Sequence, residues 1–193
     1  NVNPAQANAE LCNLITSTLL ASGLKKDQFV VNISNRKIVE GLIEELKISE
    51  VKKVKVMRAI DKLNKPGFGL KGVEDLLKKE RIDGSGAVTK GANLSDGEAS
   101  QIINFLKIKD LKELKENLKN PLSQEGIKEL EDVLEVSSFG DYLDQIKTNF
   151  TIVRGLAYYD GFCVETNLNF KIKNNKGKEV DIGSICSGGQ YNK

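Results

Sequence analysis

The spacing of the hydrophobic residues changes twice along this chain of 193 residues, and that change constrains the fold more than any single motif. Between residues 50 and 145, apolar residues recur every three or four positions, as on one face of a helix. From about residue 160 they alternate with other residues, as in a half-buried strand. The alternating residues are Phe162, Val164, Thr166, Leu168, Phe170 and Ile172. A helical block followed by a sheet element is therefore expected.

The first 50 residues combine both patterns. Residues 4–22 are predicted to form a helix that Gly23 ends, and residues 29–33 a short apolar strand. Ser34 or Asn35 can cap a second helix. Near the other end, the turn at residues 174–177 leads into a returning strand, which predicts an antiparallel hairpin.

Sheet elements at both ends with helices between them predict an α+β fold. We expect one sheet domain that is interrupted by an all-helical insertion domain. The predicted parts are residues 1–50 (helix, strand, helix), 51–147 (helical insert) and 148–193 (β-hairpin).

The composition excludes several kinds of chemistry. Histidine is absent, so no His base, Ser–His pair or His metal ligand can come from this chain. The three cysteines are widely spaced and odd in number, which argues against disulfides and zinc and for a reducing compartment. No apolar run reaches the roughly 18–20 residues that cross a bilayer. We expect a cytoplasmic protein without a membrane partner. Because the sequence starts at Asn1 and stops just after a Gly-Gly pair, we also expect an internal piece of a longer chain.

Charge is distributed unevenly. Residues 47–81 hold eleven Lys or Arg and five Asp or Glu, whereas residues 82–145 hold seven Lys and thirteen Asp or Glu. A basic stretch can meet phosphates, but a solvated helix surface gives the same pattern. The candidate nucleic-acid contacts are Lys52, Lys53, Lys55, Arg58 and Lys62.

The densest group of chemically useful residues is Thr151-Ile152-Val153-Arg154-Gly155-Leu156-Ala157-Tyr158-Tyr159-Asp160-Gly161. Neighbouring strand side chains point to opposite faces, so Tyr158 and Tyr159 cannot both be core residues on one face. The planar guanidinium of Arg154 suits a carboxylate or a phosphate. A tyrosine hydroxyl can hold a polar ligand while its ring walls a pocket. A strand start with a surface arginine would explain the run equally well.

The run from Val153 to Tyr159 resembles the first histidine-specific signature of histidyl-tRNA synthetases, an Arg-Gly-Leu-Asp-Tyr-Tyr sequence followed some residues later by Glu, here Glu165. Residues 183–191 resemble the Gly-Gly-Arg-Tyr-Asp segment on the neighbouring strand. Residues 32–36 and 58–63 resemble the stretches that lead into the family's helical insert. The similarity is strongest to the α-proteobacterial form and spans nearly the whole chain.

This resemblance implies part of a class II synthetase catalytic sheet with its helical insert. The family adenylates histidine with ATP and Mg²⁺ and transfers the histidyl group to its tRNA. By resemblance, Arg154 contacts the histidine carboxylate and the α-phosphate and stabilises charge in the transition state. Tyr158, Tyr159 and Tyr191 shape the histidine pocket, and Gly188 and Gly189 let the backbone lie close to the ligand.

The resemblance also implies what this segment lacks. The family's first motif, most or all of its second motif, its third motif and its anticodon-binding domain lie outside it. The parent enzyme is expected to be a homodimer, and the segment alone an inactive monomer or weak associate with exposed sheet edges.

Three positions depart from the family pattern, and each loses a charge: Ala157 replaces Asp, Gln190 replaces Arg and Asn192 replaces Asp. Such losses fit a second hypothesis, a histidine-sensing regulatory paralogue of ATP phosphoribosyltransferase. The helical insert favours the synthetase instead. An accidental match in an unrelated α+β domain is the third alternative.

Overall fold

The computed structural model describes residues 3–65, 67–82, 88–153, 159–180 and 182–191. The described residues include two short 3-10 helices, Lys26–Gln28 and Leu143–Gln145. Seven α-helices and eight strands also lie in these ranges. In chain order they are α1 (Pro4–Ala21), β1 (Phe29–Asn35), α2 (Arg36–Glu45), α3 (Glu50–Ile60), α4 (Gly69–Lys78), β2 (Arg81–Ile82), β3 (Val88–Thr89), α5 (Asp96–Phe105), α6 (Leu111–Asn117), α7 (Pro121–Ser137), β4 (Ile146–Thr148), β5 (Tyr159–Leu168), β6 (Ile172–Lys173), β7 (Glu179–Val180) and β8 (Ser184–Tyr191). The chain is thus a mixed helix and sheet protein, as its sequence predicts.

The main sheet has four strands in the order β4-β1-β5-β8. Strand β1 runs parallel to β4 and antiparallel to β5, and β5 is antiparallel to β8. The predicted hairpin is therefore confirmed, with β6 and β7 pairing near its turn. The sheet joins strands from the two ends of the chain around the intervening helices.

One face of this sheet forms the main core. The alternate residues of β1 and β5 that face the helices are almost fully buried: Phe29, Val31, Ile33, Phe162, Val164 and Thr166. Across the strands, Val31 pairs with Thr166 and Ile33 pairs with Val164. Helices α1, α2 and α7 pack against this face. We call the opposite face of the sheet the polar face, because Asn32, Glu165 and Asn167 lie on it.

Helix α7 packs against α1, α2, β1 and β5. Its contact with α2 is close because Gly41 and Gly126 carry no side chain. A Cβ on Gly41 would lie 2.3 Å from Ser123 Oγ, and one on Gly126 would lie 2.9 Å from Lys37 Cβ. The Ser123 hydroxyl donates to the Ile38 carbonyl at 2.8 Å. The sequence interpretation grouped α7 with the insert, whereas its apolar face packs into the layer that covers the sheet.

The remaining helices form a smaller helical group. The short strands β2 and β3 pair with each other between α4 and α5, so the segment predicted as all-helical also contains a small sheet. Helix α4 packs against both α3 and α5. The apolar residues between them are buried: Val56, Met57, Ile60, Val73, Leu76, Leu77, Ile102 and Phe105. No helix in the described part of the chain has the length and apolar character to cross a bilayer.

Two predicted elements are shorter than expected. Helix α3 ends at Ile60 rather than at residue 64, because the chain turns from Asp61 onward. Strand β5 ends at Leu168, so the predicted run to residue 172 is interrupted. Phe170 is 42% exposed, which shows that the alternation there does not reflect a buried face.

Candidate functional site

The polar face carries a hydrogen-bonded row of side chains across β1 and β5. Asn32 Nδ2 donates to Asn167 Oδ1 at 2.9 Å, and Asn167 Nδ2 donates to Glu165 Oε1 at 3.2 Å. Asn32 and Glu165 are paired in register on neighbouring strands. Half-buried amides and a carboxylate in one network offer donors and acceptors to a polar ligand.

Two tyrosines meet at one end of the polar face. Tyr159 on β5 is the register partner of Tyr191 on β8. Their ring centroids are 5.3 Å apart and their planes cross at 72°, an edge-to-face pair. Tyr191 is 65% exposed, so its ring is accessible from solvent. The structure therefore brings together two of the predicted pocket residues.

Gly189 lies directly beneath this pair. A Cβ at this position would stand 2.6 to 3.0 Å from three atoms of the Tyr159 ring, which real Cβ atoms essentially never show. A Cβ on the neighbouring Gly188 would point to the other face and meet Val164 Cγ1 at an ordinary 3.7 Å. Gly189 thus lies against the Tyr159 ring, whereas the predicted approach of Gly188 and Gly189 to the ligand stays a prediction.

Arg154 and Tyr158 were also predicted from the signature, and both lie outside the described residues. Their places in the pocket stay predictions. Val153 is buried just before this gap, and Tyr159 begins β5 just after it.

A cleft of about 560 Å³ opens over the polar face. One wall comes from Asn149, Thr151, Glu165 and Asn167, and the other from the end of α3 and the turn after it. Asn149 is held by its backbone N–H, which donates to the Ile33 carbonyl at 2.9 Å, and its Oδ1 accepts from the Thr151 hydroxyl at 2.7 Å.

Sequence reasoning missed Asn32, Asn149, Thr151 and Asn167 as candidate site residues. A signal was available for Asn32 and Asn167, because polar residues at alternate positions between core residues mark the second face of a strand. Thr151 begins the run that the sequence analysis singled out, although no role was assigned to it there. No comparable signal marks Asn149. Both residues follow β4 and line the cleft.

Behind the tyrosine pair, β5 makes a bulge between Tyr159 and Cys163. Gly161 in this bulge has a φ of +107°, a conformation that favours glycine. On the helix side of the bulge, Lys37 Nζ donates to Glu129 Oε1 at 2.5 Å and to Glu125 Oε1 at 2.8 Å. Burial lowers the pKa of Lys37, but the hydrogen bonds to Glu125 and Glu129 outweigh it and raise the pKa above its ordinary value.

The five predicted nucleic-acid contacts divide into two groups. Lys52 Nζ donates to the Asn93 carbonyl at 2.8 Å, and Lys53 lies 3.6 Å from Glu40. Lys55, Arg58 and Lys62 instead line one groove of about 530 Å³. We call this groove, which Lys90 also lines, the basic groove. Asp61 lines the same groove, and Lys62 Nζ lies 5.4 Å from the centroid of the Phe68 ring.

Two thiols are buried, and one of them, Cys163, is the register partner of Gly189. Burial raises the pKa of Cys12 to about 12. Burial also raises the pKa of Cys163 to about 12, with Arg36 lowering it and Glu40 raising it to smaller extents. Among the described residues, no group of three or more acidic, Cys or His side chains could hold a metal ion.

Comparisons with known proteins give a consistent result. The family model described as histidyl-tRNA synthetase matches residues 1–193. The chain is 89% identical over 193 residues to a histidine–tRNA ligase of Pelagibacter ubique (strain HTCC1062), covering 100% of the chain and 42% of that protein. It is 39% identical over 196 residues to a histidine–tRNA ligase of Rhizobium leguminosarum, covering 96% of the chain and 38% of that protein. The chain thus spans about two fifths of these relatives.

Solved structures show the same likeness. A histidyl-tRNA synthetase from Nostoc sp. PCC 7120 aligns with a TM-score of 0.75 at 28% identity, over 99% of this chain and 41% of that one. A Bacillus halodurans protein described as an ATP phosphoribosyltransferase regulatory subunit/histidyl-tRNA synthetase aligns with a TM-score of 0.72 at 21% identity, over 97% of this chain and 43% of that one. At 21% identity, the similarity to the Bacillus halodurans protein shows a shared fold only.

Proposed function

The chain belongs to the histidyl-tRNA synthetase family, and we propose that it is part of the catalytic domain of a histidine–tRNA ligase. The observation that carries this proposal is the Tyr159–Tyr191 pair over Gly189, at the end of a polar sheet face, in the two segments that resemble the family's histidine signatures. A pocket walled by tyrosine rings and hydroxyls suits a polar aromatic ring such as imidazole.

In the proposed reaction, the full-length protein activates histidine with ATP and transfers the histidyl group to its tRNA. Arg154 stabilises the charge that develops where the histidine carboxylate meets the α-phosphate, a role in which one donor contributes about 3–4 kcal/mol. Tyr158 completes the pocket beside Tyr159 and Tyr191. ATP and Mg²⁺ are the family's co-substrate and ion, and no described residue is assigned to either.

We also propose that α3–α6 form the helical insert of this domain. The packing of α7 and the pairing of β4 with β1 support ending the insert near residue 120 rather than at 147. The first and last parts, 1–50 and 148–193, then form one sheet domain with α7. The insert presents the basic groove to tRNA phosphates, and the full-length protein works in the cytoplasm as a homodimer.

The regulatory alternative has weaker support. The curated relatives at 35–89% identity carry the ligase name, whereas the solved structure with the mixed description is 21% identical. The charge losses at Ala157, Gln190 and Asn192 are the sequence features that fit it.

The experiment that tests the proposal is ATP–pyrophosphate exchange by the full-length protein. We expect exchange that depends on histidine, and a loss of about 10²–10³ in kcat for Arg154→Ala. Histidine binding in calorimetry without any exchange would contradict the ligase and favour the regulatory alternative.

A further inference from the structure

A cluster of ion pairs and hydrogen bonds joins three elements behind the tyrosine pair. Lys37 at the start of α2 contacts Glu125 and Glu129 of α7. Asn35 at the end of β1 donates from Nδ2 to Glu129 Oε2 at 2.5 Å. The Lys37 side chain, including its aliphatic stem, is 19% exposed. Helix α7, helix α2 and strand β1 are therefore fixed to one another at this point.

The bulge of β5 rests on this cluster. The three atoms nearest to the place where a Cβ of Gly161 would stand are Gln190 Oε1 at 3.6 Å, Glu129 Oε2 at 3.7 Å and Lys37 Cε at 3.8 Å. This side of Gly161 thus faces the cluster at ordinary contact distance. The φ of +107° at Gly161, rather than a lack of space, is what favours glycine here.

The bulge also decides which residue of β5 stands opposite Tyr191. Cys163 is the register partner of Gly189, so regular antiparallel pairing would place Gly161 opposite Tyr191. The register shift at the bulge places Tyr159 there instead, with its ring against Gly189. The ring position therefore depends on the backbone at Gly161, and that backbone is supported from behind by Glu129 and Lys37.

We propose that Lys37 is a positioning residue for histidine binding: its ion pair with Glu129 holds the bulge at Gly161 and so fixes the Tyr159 ring over Gly189. This inference rests on the proposed histidine pocket. It also explains how the chain carries Gln190 where the family pattern has arginine. Lys37 supplies the positive charge beside Glu129, so a neutral residue at 190 leaves that carboxylate paired.

The test uses Lys37→Met in the full-length protein, which keeps the side-chain length and removes the charge. We expect KM for histidine in ATP–pyrophosphate exchange to rise about tenfold, since a displaced pocket wall weakens a positioned contact. KM for ATP stays within about twofold, because the bulge contacts the tyrosine pair. Lys37→Arg retains the parent KM for histidine. The matched control is Lys115→Met, which removes another lysine that pairs with α7, through Glu131 at 2.8 Å.

A second variant tests the charge argument directly. Arginine at residue 190 can reach Glu129, so Gln190→Arg is expected to restore histidine KM in the Lys37→Met background to within about threefold of the parent.

Three results overturn the inference: an unchanged histidine KM in Lys37→Met, an equal rise in both KM values together with a lower Tm, or no recovery with Gln190→Arg. A parent protein without histidine-dependent exchange would instead refute the proposed function.

Discussion

The ring of Tyr159 covers the backbone of Gly189, and the fit leaves no room for a methyl group. Three ring atoms lie 2.6–3.0 Å from where the Cβ would be. The two residues are on neighbouring strands, so the contact couples the two sequence segments that resemble histidine signatures. A side chain at residue 189 must displace the ring, the strand, or both.

Gly189→Ala is therefore expected to raise KM for histidine in the full-length protein by about tenfold or more, since small misplacements of pocket walls are costly. Gly188→Ala is the matched control, because its Cβ would make an ordinary 3.7 Å contact with Val164. Steady-state ATP–pyrophosphate exchange measures both. Equal effects of the two alanines would show that the Tyr159 contact is irrelevant to binding.

The basic groove predicts which cations meet RNA. Arg58→Met should reduce the slope of log K against log salt for tRNA binding by about 0.9, the value for one lost phosphate contact. Lys53→Met should leave the slope unchanged, because Lys53 lies against Glu40 within the protein. Filter binding between low and moderate salt provides the measurement. If the affinity of the parent protein for tRNA did not change with salt concentration, phosphate contacts would be ruled out.

The start of α5 is closed by a capping box. The Ser95 hydroxyl accepts from the Glu98 N–H at 3.3 Å, and Glu98 Oε2 accepts from the Ser95 N–H at 2.7 Å. Ser95→Ala should destabilise this helix by about 1 kcal/mol, with faster amide hydrogen exchange confined to α5. Exchange that rises evenly across the protein would argue against a local cap.

The same capping box predicts a dependence on acid. Hydrogen bonds from the Ser95 side chain and backbone lower the pKa of Glu98. Because the pKa of this carboxyl is lower in the folded protein, the ionised carboxylate stabilises the fold at pH values above the ordinary carboxyl pKa. This stabilisation is lost as the pH falls through the lowered pKa. Glu98→Gln should therefore lose most of the acid dependence of α5 exchange. An identical acid profile in parent and variant would contradict this.

Cys12 and Cys163 should resist alkylation at neutral pH, because burial raises the pKa of both thiols to about 12 and the thiolate is the reactive form. Brief treatment with iodoacetamide followed by mass spectrometry is expected to leave both unmodified until denaturant is added. Modification at the denatured rate under native conditions would show that the core around them is open.

The elements that the sequence predicted well are those with local causes. Asn35 was one of two predicted caps for α2, and its Oδ1 accepts from the Lys37 N–H at 3.1 Å. The hairpin followed from alternation on both arms and a polar turn. In each case the deciding interactions lie within a few residues of the pattern that predicted them.

The parts that escaped prediction depend on distant partners. The period of α7 showed a helix with one apolar face but could not show whether that face meets the insert or the sheet layer. The ion pair between Lys37 and Glu129 joins residues far apart in sequence, and a count of charges within either segment does not reveal it. Likewise, the sequence of the basic stretch does not distinguish Lys52 and Lys53 from the cations of the basic groove. The partners of Lys52 and Lys53, Asn93 and Glu40, lie in other parts of the chain.

The packing of α2 against α7 has an evolutionary consequence. Because Gly41 of α2 lies against Asn120 and Ser123 at the start of α7, the chain leaves the layer that covers the sheet and re-enters it at adjoining points. A segment whose two attachment points adjoin can grow or shrink at little cost in loop entropy. Chimaeras that exchange residues 50–119 between distant homologues should therefore keep the strand register intact, so this segment can diverge in sequence separately from the sheet and the helices that cover it.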